Sequence, residues 1–152
     1  MAKHTIKVKK YSDVIEEYTS TAVEVTPGYL IEVTSAGLVQ AHSVAGGNCL
    51  PMFALEDELQ GRGIDVNYAV STKIQCWIPW RGDMVYAFLN DGETAVVGSF
   101  LESAGNGKLK VHVADSSGDI LTEAIIAQAV EAVDMSGSTG EDPNGRIIVR
   151  IL

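Results

Sequence analysis

Residues 73–113 read KIQCWIPWRGDMVYAFLNDGETAVVGSFLESAGNGKLKVHV, and the punctuation of this stretch decides the fold. Apolar runs are cut apart by Arg81-Gly82-Asp83, by Asn90-Asp91-Gly92 and by Gly105-Asn106-Gly107. Asn-Gly and Asp-Gly pairs supply the positive φ that tight reversals need, and alternating apolar residues on either side supply strands. The expectation is a run of antiparallel strands at residues 73–79, 84–89, 95–101 and 108–113. In the first, Ile74, Cys76 and Ile78 share one face, and Lys73, Gln75 and Trp77 share the other. Pro79 ends regular pairing there. Trp77 and Trp80 are expected to anchor a core or an interface.

The same punctuation extends upstream. Pro27-Gly28 fits the two central positions of a type II turn. Residues 29–33 and 38–42 flank Thr34-Ser35-Ala36-Gly37 as a hairpin, with Gly37 left-handed, and the small residues 43–48 form a loop. In residues 11–26, Ala22, Glu24 and Thr26 alternate with Val23 and Val25, the pattern of a half-buried strand. Residues 53–60, FALEDELQ, are the one candidate for a short helical turn, closed by Gly61. Glu56, Asp57 and Glu58 point in different directions on such a turn, so they read as a solvated acidic face and not as a metal site. Residues 1–10 admit two readings: a solvated, frayed terminus, or an arm that orders on a partner by strand addition.

Downstream, residues 115–119 read as a polar turn. Residues 120–135, ILTEAIIAQAVEAVDM, fit a helix with Thr122 as N-cap or a buried strand, because apolar side chains fill most of the wheel. Pro143-Asn144-Gly145 is a turn before a final strand at residues 146–152.

The chain has 152 residues, a net charge of −9 and 46% apolar residues, the composition of one globular domain. Residues 1–10 hold four lysines and no acid, which leaves 7 basic and 20 acidic side chains, a charge of −13, for the rest. A body so acidic repels phosphate, so nucleic acid is not an expected partner. No apolar run approaches the ~18–20 residues of a membrane helix, and no secretory leader is apparent. Cys49 and Cys76 are expected as reduced thiols.

Several motifs fail when tested. Gly105-Asn106-Gly107-Lys108 lacks the Gly and Ser/Thr of a phosphate loop, since those positions hold Glu102 and Leu109. Arg81-Gly82-Asp83 matches an adhesive tripeptide but is ordinary turn chemistry. His4, His42, His112, Cys49 and Cys76 lack the short spacings of structural zinc sites. Asp142-Pro143-Asn144-Gly145 lacks the alternating ligands of a calcium loop. No cofactor or metal is expected. A Cys–His hydrolase built from Cys49 or Cys76 with His42 or His112 has no local signature, yet remains an alternative.

A wider pattern runs through residues 22–152. It includes Pro27-Gly28-Tyr29-Leu30-Ile31-Glu32, Gly37-Leu38-Val39, Phe53-Ala54-Leu55-Glu56 with Gly61, Gly63 and Ile64-Asp65, and Gly82-Asp83-Met84-Val85-Tyr86. It continues in Gly98-Ser99-Phe100-Leu101-Glu102-Ser103-Ala104-Gly105-Asn106-Gly107, Ala129-Val130-Glu131-Ala132-Val133-Asp134 and Gly145-Arg146-Ile147-Ile148-Val149-Arg150. In order and spacing this resembles the capsid decoration, or cement, proteins of tailed bacteriophages. One departure is Ser71-Thr72, where such sequences often carry Gly-Asp.

The resemblance implies an all-β, mainly antiparallel body of the small-barrel or β-tulip kind, with one short helix and an extended N-terminal arm. It divides the chain into an arm, 1–21, and a single β-rich domain, 22–152, and favours strand from about Ile126 on. It implies a non-enzymatic virion protein made in the host cytoplasm. Such a protein sits as a homotrimer on the outer face of the head, where it bridges major capsid protein subunits and stabilises them. Lys3, Lys7, Lys9, Lys10 and Tyr11 are then the candidate capsid or protomer contacts. A head fibre or carbohydrate-facing virion module is the alternative within the same structural class.

Overall fold

The computed structural model describes residues 4–10, 13–114, 124–137 and 145–152. Thirteen strands are described: β1 (Lys7–Lys9), β2 (Val14–Thr19), β3 (Ile31–Val33), β4 (Val39–Ala41), β5 (Phe53–Ala54), β6 (Lys73–Ile78), β7 (Met84–Phe88), β8 (Thr94–Ala95), β9 (Phe100–Ser103), β10 (Leu109–Val111), β11 (Ile125–Ala129), β12 (Val133–Asp134) and β13 (Arg146–Ile151). Every pairing of these strands is antiparallel. The fold is all-β, as expected. The main sheet has six strands in the order β1-β7-β13-β11-β9-β10 and remains open, ending on two different edge strands. The barrel expectation is corrected accordingly: among the described residues no sheet closes on itself. Beside it lie a three-stranded sheet, β2-β6-β5, and two small pairs, β3-β4 and β12-β8.

The glycine-marked turns reverse the chain, but only some make hairpins. Gly105-Asn106-Gly107 joins paired neighbours, β9 and β10, and residues 34–37 join β3 and β4. The turn at Gly82 instead hands the chain from β6 in one sheet to β7 in another, and Asn90-Asp91-Gly92 hands it on to β8. Local φ fixes where a strand stops; which strand it then joins is fixed by where its apolar faces are buried.

β6 shows this most clearly. Its alternation sends Trp77 into a large core with Phe53, Val85, Leu101 and Ile147. Ile74 and Cys76 go into a second core with Val25, Ile31, Met52 and Tyr68. Both faces of the strand are therefore buried, whereas Trp80, just beyond Pro79, is 66% exposed and anchors no core.

Two local expectations are corrected. Residues 53–60 are not one helical turn. Phe53 and Ala54 pair with β6, and only Glu58–Gln60 form a 3-10 turn, capped by the Asp57 carboxylate and closed by left-handed Gly61. The alternation at residues 22–26 is not a strand. The strand lies earlier, in β2, and Val23 is exposed while Val25 makes a single bridge to Tyr68. The ambiguous segment is strand, in β11 and β12. Thr122 and the turns at residues 115–119 and 142–144 lie outside the described residues.

The N-terminus is not frayed at Ile6, which is fully buried in the large core, and β1 pairs with β7. The Glu56 carboxylate, itself 4% exposed, accepts hydrogen bonds from Thr5 Oγ1 (2.6 Å) and Ile6 N (3.2 Å). Glu56 is thus a buried clamp on this segment and not part of a solvated acidic face. Replacing Glu56 with Ala leaves two donors without their partner. The expected cost is about 1–3 kcal/mol, with faster amide exchange at residues 6–9 than elsewhere in the main sheet. Uniform acceleration across β7 and β13 would contradict the clamp.

Candidate functional site

Of the candidate contact lysines, Lys7 and Lys9 lie on β1, an edge strand of the main sheet, and Lys10 directly follows it. Lys7 and Lys10 converge on Asp13, with Lys7 Nζ 3.8 Å from Oδ1 and Lys10 hydrogen-bonded to Oδ2. The Lys10 hydrogen bond, helped by Lys7, holds the Asp13 carboxyl below its ordinary range. Lys9 is exposed and also has an interaction within the chain. Lys3 and Tyr11 lie outside the described residues. The basic terminus is therefore partly answered by its own acid, an effect that a charge count of residues 1–10 misses.

The residues of the alternative hydrolase come partly together. Glu32, His42 and Cys49 line one cleft of about 380 Å³. His42 Nδ1 lies 2.7 Å from Ser103 Oγ, and Nε2 lies 3.7 Å from Glu32 Oε2. Gly105 N donates to the same Ser103 hydroxyl. This is a serine–histidine–glutamate line, but Ser103 is fully buried at the base of the β9–β10 turn. Burial, with Glu32 nearby, pushes the Cys49 thiol up to about 11. Burial likewise pushes Cys76 up to about 12, and its Sγ rests on the Ile74 carbonyl at 3.5 Å. Both are held as thiols at neutral pH, the opposite of an activated nucleophile. Carboxymethylation of Cys49 is expected to be slow at pH 7 and to quicken about tenfold per pH unit towards pH 11. Because its folded value is raised, the thiol's share of stability is intact below its free-thiol value and declines as pH rises from there through about 11. Fast labelling at neutral pH would contradict this environment.

His112 lies elsewhere, against Glu102 on the main sheet. The Glu102 carboxylate is 2% exposed and is held by His112 Nδ1 at 2.6 Å and Lys110 Nζ at 2.9 Å. Burial alone raises its pKa; the bonds from His112 and Lys110 outweigh that and keep it below the usual carboxylate range. The cluster is a filled cross-strand network. Among the described residues, no group of three or more His, Cys, Asp or Glu side chains is placed to hold a metal ion.

The adhesive tripeptide also has a structural explanation. Asp83 is fully buried, and its carboxylate accepts a hydrogen bond from Trp80 N at 2.7 Å. The Arg81-Gly82-Asp83 turn therefore consumes its own acid.

The feature that sequence reasoning missed is an apolar tip. Residues 96–99 form a tight turn, with Ser99 N bonded to Val96 O and Gly98 at φ +92°. Its two valines project outward, Val96 at 60% and Val97 at 68% exposed. Phe100 begins β9 directly after the turn, and its carbonyl accepts the His112 N–H, which brings Val113 alongside. Phe100 and Val113 are exposed as well. Four exposed large apolar side chains thus lie on this turn and on the strand ends beside it in an acidic protein, the kind of exposure that accompanies an interaction surface. A signal was present: a pair of β-branched residues immediately before a turn glycine, where polar residues are usual.

No helix among the described residues is long and apolar enough to cross a membrane. No protein-family model and no curated protein matches the chain.

Proposed function

We propose that this chain is a capsid decoration protein. It docks as a homotrimer on the outer face of an assembled tailed-phage head and bridges neighbouring major capsid subunits. The observation that carries the reading is the exposure of Val96, Val97, Phe100 and Val113 on a body whose buried charged residues Glu56, Asp83, Glu102 and Arg146 bond within the fold. The family resemblance supplies the identity of the partner, and the turns that carry much of it, at Gly28, Gly37, Gly82 and Gly105-Asn106-Gly107, are reversals in the folded chain. The acidic charge suits a position outside the shell, away from packaged DNA.

Stabilisation follows from mass action. A protein that binds the assembled shell and not dispersed subunits favours the shell by RT ln(1 + [L]/Kd) per site. Trimerisation makes the second and third contacts intramolecular, so a modest contact per protomer suffices. The test is to add purified protein to undecorated tailed-phage heads and to measure co-sedimentation and heat resistance. The native protein should bind and raise the disruption temperature. Val97→Asp, at an exposed position, should change folding stability by no more than about 0.5 kcal/mol and weaken head binding about tenfold or more. Absence of co-sedimentation by the native protein would reject the reading.

A further inference from the structure

The three-stranded sheet ends on β2, and this edge differs from those at β10, β5 and β1. On β10, the Val111 N–H is taken by the Glu93 carboxylate at 3.0 Å, and Leu109 O accepts Asn90 N. On β5, the outer side is filled by Gly28, Tyr29 and Leu30. β1 carries Lys7 and Lys9, the usual guard of a strand edge. β2 is six residues long, and among the described residues nothing pairs with its outer side before Thr19.

Register identifies the groups left open. Ser20 N bonds to Thr72 O across the β2–β6 ladder, so Val14, Glu16 and Tyr18 also turn their backbone groups towards β6. The odd residues turn theirs outward. Thr21 confirms the parity, since its N–H reaches away from β6 to Val39 O. Ile15 and Glu17 therefore present N–H and C=O groups along an open edge. The side chains there come as two pairs: Val14 and Ile15, both exposed apolar residues, then Glu16 and Glu17, both exposed acids. Glu17 has only a loose, exposed ion pair with Lys73 at 3.8 Å, and Glu16 has none among the described residues.

We infer that the β2 edge is a docking site for an extended basic segment of another protein, added antiparallel as a further strand. A second copy of the same edge is a poor occupant, because it would bring acid against acid. A strand reading basic-basic-apolar-apolar places its cations opposite Glu17 and Glu16 and its apolar pair opposite Ile15 and Val14. Main-chain hydrogen bonds to Ile15 and Glu17 supply affinity, and the paired side chains supply choice. This inference stands independently of the decoration reading, since it uses a different surface and a different partner chemistry.

The probe is an acetylated, amidated hexapeptide, threonine-lysine-lysine-valine-valine-threonine, titrated into the intact protein by NMR. Two control peptides accompany it: one with glutamates for the lysines, and one N-methylated at the residues whose amides face the edge. The basic peptide should bind saturably and slow amide exchange at Ile15 and Glu17, leaving Glu16 and Tyr18, already bonded to β6, little changed. The N-methylated peptide should not bind. In a Glu16→Lys, Glu17→Lys protein the basic peptide should bind about tenfold more weakly, and the acidic peptide should bind in its place. Equal binding by the N-methylated peptide would reduce the effect to charge attraction and overturn the inference. So would unchanged exchange at Ile15 and Glu17 at saturation, or no binding at millimolar peptide.

Discussion

Replacing Arg146 with alanine should lower the unfolding free energy by about 3–5 kcal/mol. The guanidinium is almost wholly buried, yet it is not paired in the usual way. Its Nη1 donates to Pro27 O at 2.9 Å and its Nη2 to Ile64 O at 2.6 Å, while Asp65 Oδ1 lies 3.4 Å away on the surface. The charge also lies over the Phe88 ring at 4.0 Å and near Tyr86 at 5.6 Å. Burial pushes the guanidinium pKa down, with Asp65 opposing. One side chain from the first residue of β13 thus closes two loops that are far away in sequence. Alanine leaves two buried carbonyls without donors and two ring faces without a cation. Lysine at Arg146 should recover only part of the loss, because an ammonium lacks the planar fork that serves Pro27 and Ile64 together. Urea titration of the three proteins measures the order; equal stability of the native and alanine forms would remove Arg146 from the centre of the fold.

Gly28→Ala should cost about 2–4 kcal/mol, from strain and crowding together. Gly28 has φ +95°, where an L side chain is strained. A Cβ there would lie 2.5 Å from Arg146 Nη1 and 3.0 Å from Tyr86 O. The turn that needs glycine for its angle therefore also needs it for the approach of the guanidinium. The two sites should couple. In a double-mutant cycle the Gly28→Ala loss should shrink when Arg146 is already alanine, since one of the two clashes has gone. Strict additivity would show that the clash is relieved elsewhere.

The legible parts of this fold were local. Pro27-Gly28 is a turn with Tyr29 N bonded to Thr26 O, Gly37 closes a hairpin, and Gly105-Asn106-Gly107 closes another. Each depends on φ at one or two glycines, which residue type reveals. Pairing partners were not legible. β7 pairs with β13 and β1, at opposite ends of the chain, and no local pattern encodes that choice. Buried charge was hidden for a related reason. Glu56, Asp83, Glu102 and Arg146 look like solvent-facing residues until their partners arrive, and the Pro27 carbonyl that Arg146 reaches is 119 positions away. Of the candidate contacts, the lysines were visible as a cluster, but the neutralising Asp13 and the apolar tip depended on geometry. Val96 and Val97 resemble the interior of a strand; they are exposed because Gly98 turns the chain directly beneath them.

As proposed, this acidic β body grips a protein shell through Val96, Val97, Phe100 and Val113. Cryo-EM of heads incubated with the purified protein tests that claim most directly. The expected map shows three copies over each occupied junction of major capsid subunits, with Val96, Val97, Phe100 and Val113 turned onto the shell or a neighbouring protomer. Heads that remain bare at saturating protein, or copies seated with these side chains facing solvent, would contradict it.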